Sequence, residues 1–338
     1  MRRFQVMMIL MLSMLVSAVS CDLGEPVRPF QPTVAGRPVY NGICYGPHRD
    51  GQRPGGEQPT AAQLLEDLRL MEPQWKLIRI YNSSEFAGTL LEVIRENGID
   101  VKVVLGVWID PEQRFGDDGA VLERFEEAAE ANRREVDAAI VLANEYPAIV
   151  AAVCVGNETQ IFWSDHRVSE EILIGHVRRV RDGVGVPVTV ADDFNFWNKP
   201  ESGELAAEID FIMMHAHPMW NGLQVEDALD WQREQLEIVR SVHPGRQIVL
   251  GETGWATSKI GEGDQGKLIK GTPGEAEQKI FYDAVRAWAE ADRQIVFFFE
   301  AFDENWKGGA NPAEVEKHWG LFRADRTPKA AMSHEVGW

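Results

Sequence analysis

Two glutamates stand where short apolar runs of the chain end, and together they could carry acid–base and nucleophilic chemistry. Glu158 closely follows the run Ile149 to Val155, and Glu252 follows the run Ile248 to Gly251, 94 positions apart. A carboxyl group at the tip of an apolar strand is costly to bury unless it is paired or does chemistry. One carboxyl group that keeps its proton beside one that stays ionised makes a general acid and a nucleophile. The structural alternative is a pair of carboxylates that form salt bridges with Arg79.

Eight short apolar runs, separated mostly by amphipathic stretches, would have to position these groups. Continuous runs rich in Val, Ile and Leu are typical of parallel strands buried on both faces. They are Val39 to Tyr45, Leu77 to Tyr81, Val101 to Trp108, Ile149 to Val155, Val186 to Ala191, Ile209 to His215, Ile248 to Gly251 and Ile295 to Phe302. The pattern predicts an α/β fold, a single (β/α)8 TIM barrel over residues 38–338. A doubly wound sheet is disfavoured because no Gly-x-Gly-x-x-Gly follows the first run.

Several helix boundaries can also be predicted. Thr60 with Gln63 forms a capping-box pattern, Ser169 precedes a helical stretch, and Gly98 is placed to end the second helix. Thr272-Pro273-Gly274-Glu275 combines a cap with a proline at the first helical position. The segment 194–207 is too short and too polar for a regular fifth helix.

The barrel prediction brings the two glutamates together. Active sites of such barrels lie at the C-terminal ends of the strands, and each β/α unit takes roughly 31 of about 250 residues. The separation of Glu158 and Glu252 is then about three units, which places strands four and seven across the barrel mouth. Two carboxyl groups there can approach to about 5–5.5 Å, the separation found in retaining glycosidases.

The motifs around these positions resemble those of a known family. Val155-Gly156-Asn157-Glu158 and Gly251-Glu252-Thr253-Gly254-Trp255 resemble the acid/base and nucleophile motifs of glycoside hydrolase family 17, the 1,3-β-glucanases. The similarity runs from about residue 39 to 323. It includes the first two strands, in residues 42–46 and 78–81, and the closing motifs in residues 302–307 and 316–322.

The resemblance implies a retaining hydrolase of neutral 1,3-β-glucans such as laminarin, with no cofactor and no metal. Glu158 would be the acid/base, Glu252 the nucleophile, and Asn157 would hydrogen-bond the sugar 2-hydroxyl. Lys307 would lower the pKa of neighbouring carboxyl groups by favouring their charged forms. The other substrate-binding positions that it implies are Tyr45, Arg79, Tyr81, His217, Trp255, Glu304 and Glu316.

Two positions depart from the family pattern. Ala256 stands where the family has proline, and His217 stands where it has tyrosine. We expect His217 to lie beside Glu252, to hydrogen-bond it, and to titrate near the ordinary histidine value of about 6.5. His215 and His217 also share the alternate spacing of some metal sites, although hydrogen bonding is favoured because no other histidine stands at a strand tip.

Tryptophans support a sugar ligand independently of the motifs. An indole offers a broad apolar face, on which the C–H bonds of a glucose ring stack, and one polar N–H. Any single tryptophan is more often part of the core, but several at one mouth predict stacking platforms. Six fall at or just beyond strand ends: Trp108, Trp163, Trp197, Trp220, Trp255 and Trp306.

The composition excludes other classes of function. The chain has 338 residues, 44% of them hydrophobic, which is typical of a globular domain rather than a disordered one. Its formal charge of −19, without a basic stripe, excludes nucleic acid as an expected partner and favours neutral substrates over anionic ones. Nothing in the composition sets an oligomeric state.

The first 37 residues have the pattern of an export signal followed by a tether. Arg2 and Arg3 precede an apolar run from Val6 to Val19, which is short for a membrane span, and Cys21 follows directly. The pattern resembles a bacterial lipoprotein signal. Residues 1–20 are therefore predicted to be a signal peptide, Cys21 the lipidation site and residues 21–37 a tether. This predicts a cell-envelope protein that meets the membrane only through its lipid, with plain secretion as the alternative.

Cys44 and Cys154 lie inside apolar runs, so buried free thiols are expected rather than a disulfide.

Two other functions remain open from the sequence. A β-1,3-glucan transglycosylase would use the same two glutamates, whereas a non-catalytic glycan-binding lipoprotein would have no reason to keep both. Internal or terminal cleavage depends on loops that wall the groove. The candidate walls are Asp110 to Asp118, Phe162 to Arg167 and Ser258 to Lys270.

Overall fold

Eight parallel strands close into a barrel in which chain order is also spatial order, and the eighth strand pairs with the first. The computed structural model describes residues 27–116 and 120–333. The strands are β1 Asn41–Cys44, β2 Leu77–Arg79, β3 Lys102–Val107, β4 Val150–Asn157, β5 Val188–Asp193, β6 Phe211–His215, β7 Ile248–Thr253 and β8 Val296–Phe298. Each lies in or overlaps one of the eight predicted runs, and the predicted (β/α)8 barrel is confirmed.

Helices cover the outside of the barrel. They are α1 Ala61–Met71, α2 Ala87–Asn97, α3 Glu126–Glu145, α4 Glu170–Gly183, α5 Phe194–Trp197, α6 Gly203–Glu208, α7 Val225–Val242, α8 Gly263–Leu268 and α9 Glu275–Asp292. Short 3-10 turns occupy Pro200–Ser202, Val315–Lys317 and Ala330–Met332. In the fifth crossover, two short helices and a 3-10 turn replace one long helix, as its polar sequence predicts.

The predicted helix boundaries hold in three of four places. Thr60 and Gln63 form the reciprocal capping box of α1, Ser169 caps α4, and Gly98 ends α2 with a left-handed φ of 61°. The fourth prediction is wrong, since α9 begins at Glu275, after Gly274, and Pro273 stays outside the helix.

Two apolar layers hold the barrel together. The inner layer fills the barrel with side chains such as Val104, Met213 and Phe297, and the outer layer lies between the strands and the helices. Cys44 and Cys154 are buried in the inner layer as free thiols, as expected. Two hairpins lie outside the barrel, Thr33–Val34 with Arg37–Pro38 and Gln113–Phe115 with Val121–Arg124.

Residues 27–37 correct part of the predicted tether, because they pack on the N-terminal end of the barrel. Phe30 is 1% exposed, and its ring stacks on Phe211 with centroids 4.5 Å apart. Arg28 forms an ion pair with Asp210 at 3.0 Å, and the Gln247 side chain exchanges hydrogen bonds with the Phe30 backbone. Burial of one phenylalanine contributes about 2–3 kcal/mol to stability. This contribution holds the segment on the barrel, although its proline-rich composition is typical of a tether.

The predicted signal peptide and the lipidation site Cys21 lie outside the described residues. Within residues 27–116 and 120–333, no helix combines the length and the apolar character needed to cross a bilayer.

Candidate active site

Glu158 and Glu252 reach the same end of the barrel from strands β4 and β7. Glu252 belongs to β7, whereas Glu158 follows the last residue of β4, where the chain turns through a left-handed glycine, Gly156, with φ 78°. Glu158 itself has φ 52°, an uncommon conformation for a residue with a side chain. Its backbone N–H donates to the carbonyl of Ala191 in β5 at 2.9 Å, which holds this turn in place.

The carboxyl group of Glu252 lies among hydrogen-bond donors. Its Oε1 accepts from Nη1 of Arg79 and from the hydroxyl of Tyr81, each at 2.9 Å, and its Oε2 lies 3.4 Å from Nε2 of His217. Burial alone would raise the pKa of Glu252. Its neighbours His215, His217 and Arg79 outweigh burial and hold the pKa well below the usual range. Glu252 is therefore ionised at neutral pH.

Glu158 has the opposite electrostatic environment. Its side chain is 19% exposed, and its Oε1 lies 3.0 Å from Nδ1 of His215. Burial, followed by the negative charges of Glu252 and Asp193, raises the pKa of Glu158 to about 8. One oxygen of Glu158, one oxygen of Glu252 and a ring nitrogen of His215 all lie within 4.8 Å of one another. The site thus pairs a protonated carboxyl group with an ionised one.

Arg79 bears on whether Glu158, Glu252 and His215 bind a metal ion or only hydrogen-bond one another. Its Nη1 lies 2.9 Å from both Nε2 of His215 and Oε1 of Glu252. A guanidinium stays positively charged and repels a second cation, so the arrangement favours hydrogen bonding over a metal.

Both glutamates line a cavity of about 1130 Å³ at the C-terminal ends of the strands. Its rings come from strand ends and from the loops that follow them. They include Tyr81, Phe86, Trp108, Phe162, Trp163, Trp220, Phe299, Trp306 and Trp319. An aromatic-lined cavity with paired carboxyl groups fits a neutral, ring-shaped ligand.

Residues 42–320 match the BtgE/BtgC glycoside hydrolase domain. The chain belongs to this family. It is therefore a glycoside hydrolase, which confirms the kind of enzyme that the motifs indicate.

Relatives and solved structures agree with this membership. The chain is 28% identical to a glucan 1,3-β-glucosidase of Arthroderma benhamiae over 298 residues, which cover 82% of this chain and 86% of that one. An endo-laminarinase structure from Formosa is 26% identical, with a TM-score of 0.75 over 87% of this chain and 86% of that one. A family 17 β-1,3-glucanosyltransferase from Rhizomucor miehei, at 23% identity and a TM-score of 0.67 over 88% and 98%, shares the fold.

A second charged cluster borders the cavity of this glycoside hydrolase. Nζ of Lys307 lies 2.7–2.8 Å from carboxylate oxygens of Glu300 and Glu304. Burial alone would lower the pKa of Lys307, but the two glutamates outweigh it and raise that pKa. Gly46 makes room for Glu304, because a Cβ there would clash with the carboxylate of Glu304.

Most of the predicted substrate-binding residues lie at the cavity. Asn157 lines it beside Glu158, and its Oδ1 accepts from Nη2 of Arg79 at 2.6 Å. Tyr81, His217, Glu304, Lys307 and Glu316 line it as well. The expected hydrogen bond of His217 to Glu252 is confirmed, whereas the catalytic and binding roles stay predictions.

Two predicted tryptophan platforms are wrong. Trp197 and Trp255 are fully buried away from the cavity, and their indole N–H groups donate to the carbonyls of Met213 and Thr272. Both pack in the layer between strands and helices. The other four, Trp108, Trp163, Trp220 and Trp306, line the cavity.

Arg79 and Tyr45 also need correction as sugar contacts. Arg79 is buried beneath Glu252 and is not part of the cavity wall, so it acts on the glutamate rather than on a ligand. Tyr45 borders the cavity but is fully buried, and its hydroxyl donates to Asp67, which pairs with Arg326. Of the two salt bridges that the structural alternative predicts for Arg79, the structure contains the one to Glu252.

The candidate wall loops contribute unequally. Phe162 and Trp163 line the cavity from the second loop and Leu268 from the third, but only Asp110 does so from the described part of the first. Asp193, His48 and Trp319 also line the cavity, and none of them was predicted from the sequence to do so. Asp193 could have been predicted, because it is a carboxylate at the end of an apolar strand, β5, just as Glu158 is at the end of β4.

Proposed function

We propose that this enzyme hydrolyses 1,3-β-glucosidic bonds of neutral β-glucans with retention of the anomeric configuration. The separation of the two carboxyl groups carries the proposal. Oxygens within 4.8 Å suit a retaining pair at about 5–5.5 Å, whereas an inverting pair needs about 6.5–9.5 Å to admit a water molecule.

Each glutamate has the protonation state that its step requires. An oxygen of Glu252 forms a bond to the anomeric carbon while the bond to the leaving oxygen breaks, and Glu158 gives its proton to that oxygen. Glu158 then removes a proton from water as the water oxygen displaces Glu252 from the sugar. Arg79 and Tyr81 keep Glu252 ionised and oriented for both steps.

The substrate class is supported by relatives and by the cavity. The relatives described above act on 1,3-β-glucans by name. The cavity offers aromatic faces, and the chain is strongly acidic, which disfavours polyanionic sugars.

Two variants test the assignment of roles. Glu252→Gln should lower turnover of laminari-oligosaccharides by several orders of magnitude. Glu158→Ala should lose most activity on these sugars but form the glycosyl-enzyme rapidly from an aryl glucoside whose leaving group needs no proton. Glu96→Gln, an exposed change on α2 at the opposite end of the barrel, is the control. Proton NMR of the first product should show the β-anomer; an initial α-anomer would refute retention.

Transglycosylation is a second candidate, favoured by one observation. Phe162 and Trp163, which closely follow Glu158, are 74% and 52% exposed at the cavity. Such faces could hold a second sugar that competes with water for the glycosyl-enzyme. Products longer than the starting oligosaccharide at high concentration would establish transfer, and shorter products alone would exclude it.

We propose a cell-envelope location from residues 1–21 alone, with Cys21 as the lipid-bearing residue.

A further inference from the structure

His215 lies between the two catalytic candidates and has no assigned role. It ends β6, is fully buried and does not line the cavity. Both of its ring nitrogens have a partner. Nε2 lies 2.9 Å from Nη1 of Arg79, and Nδ1 lies 3.0 Å from Oε1 of Glu158.

These partners determine which nitrogen of His215 carries the proton. A guanidinium has donors only, so a hydrogen bond between Arg79 and Nε2 makes Nε2 the acceptor. At 2.9 Å this contact is shorter than the 3.5 Å from Nε2 to Oε1 of Glu252, the acceptor that a protonated Nε2 would need. Burial, together with the charge of Arg79, lowers the pKa of His215 to about 3. The ring is therefore neutral at pH 7 and acts on Glu252 as a charge only in the acid range. A neutral ring with an accepting Nε2 carries its proton on Nδ1, and Nδ1 then donates to Oε1 of Glu158.

We propose that His215 is a positioning residue, held by Arg79 in the Nδ1–H tautomer, which occupies Oε1 of Glu158 and leaves Oε2 to carry the catalytic proton. The proposal rests on the acid/base role proposed above for Glu158. The Oε2–H bond breaks as the proton passes to the glycosidic oxygen, and the same oxygen takes a proton from water in the second step. Arg79 thereby serves both carboxyl groups, Glu252 directly and Glu158 through His215.

The hydrogen bond from His215 also affects when Glu158 loses its proton. A donor to a carboxylate favours the charged form, so it lowers the pKa without adding charge. The other titratable groups that act on Glu158 come from several elements. They are Glu252 on β7, Asp192 and Asp193 on β5, His217 after β6 and Glu316 in the 3-10 turn Val315–Lys317. A substitution at His215 also removes its effect on Glu252 and Asp193. The test therefore compares two variants that both lack the imidazole.

Two substitutions separate the two ring nitrogens. In His215→Asn the amide nitrogen is attached at the position of Nδ1 and can still donate to Glu158. In His215→Gln the amide reaches the position of Nε2 and can still accept from Arg79, but the donor to Glu158 is lost. The measurement is the pH dependence of kcat/KM on a laminari-oligosaccharide, whose alkaline limb reports the acid.

We expect His215→Gln to move the alkaline limb upward by about 0.5–1 pH unit, since a neutral hydrogen bond to the charged form is lost. His215→Asn should leave the limb in place. Equal shifts in both folded variants, or no shift in either, would overturn the proposal. Neither result would affect the role of Glu158, which Glu158→Ala tests separately.

Neutron diffraction from the unsubstituted protein decides the matter without any variant, and therefore also if both variants fail to fold. Deuterium at Nδ1 of His215 and none at Nε2 is expected at neutral pH. Deuterium at Nε2 would refute the proposal.

Discussion

Replacement of the acid/base candidate should stabilise the protein. The pKa of Glu158 is raised by burial to about 8, from an ordinary value of 4.5. The unfolded chain therefore ionises this group first as the pH rises, and the folded state loses stability between pH 4.5 and about 8. Glu158→Gln cannot ionise, and its amide oxygen can still accept from Nδ1 of His215. The variant should thus escape this loss.

The magnitude follows from proton linkage. Neutral pH lies about 2.5 pH units above 4.5, and each unit is worth about 1.36 kcal/mol. The stability that Glu158→Gln can gain at pH 7 is therefore at most about 3 kcal/mol. The partial exposure of the side chain reduces the expected gain to about 2 kcal/mol. At pH 4 the gain should be close to zero, because Glu158 is then protonated in both states. Unfolding of roughly 300 residues converts 1 kcal/mol into about 1.6 °C, which gives a rise in Tm of about 3 °C at pH 7.

Thermal and urea unfolding at pH 4, 5.5, 7 and 8.5 would measure this gain. Glu252→Gln is the matched control, because it should destabilise the protein by about 3 kcal/mol when it removes the charge that faces buried Arg79. A Glu158→Gln gain that is the same at every pH, or a loss of stability at pH 7, would refute the reasoning. It would mean that Glu158 is ionised in the folded protein at little cost.

Three further predictions concern the mouth and the anchor. Burial alone would lower the pKa of His217, but Glu252 raises it above 6.5. Activity should therefore fall as the pH drops through this raised pKa. His217→Tyr should remove the acidic limb from the pH profile of kcat/KM. An unaltered profile in a folded variant would make His217 structural. Trp163→Ala should lower kcat/KM about tenfold on long laminari-oligosaccharides but change it little on an aryl glucoside. The control Trp231→Phe, on α7 outside the cavity, should leave kcat/KM unchanged on both substrates. Cys21→Ser should move the protein from the membrane fraction to the soluble fraction; unchanged partitioning would contradict lipidation.

The barrel could be predicted because its strands are buried on both faces. That burial leaves continuous apolar runs, which short sequence windows reveal. The two glutamates followed from the same logic, since a carboxyl group at the end of such a run needs a reason to be there. The conformation at Glu158, with its left-handed φ, was not predictable from the neighbouring residue types.

Which tryptophan rings face the cavity could not be predicted from their positions after strands. Trp163 and Trp197 both follow strands closely, but one ring faces the cavity and the other packs between strand and helix. The difference depends on which way the backbone turns after the strand. It also depends on the carbonyl of Met213, which lies in the next strand, β6, and accepts from the indole of Trp197. Neighbouring residues do not encode that partner. Phe30 was missed for a related reason, because one apolar residue among prolines is a weak local signal.

The packing of Phe30 has a consequence for the orientation of the barrel. The chain enters the barrel beside Phe211 and Gln247, near the starts of β6 and β7, while the cavity opens at the opposite ends of the strands. Residue 27, the first of the described residues, therefore lies at the pole opposite the cleft, and a lipid on Cys21, as proposed above, would hold the barrel from that side. A barrel held in this way would present its cleft outward, where a long polysaccharide could reach it without crossing the surface of attachment.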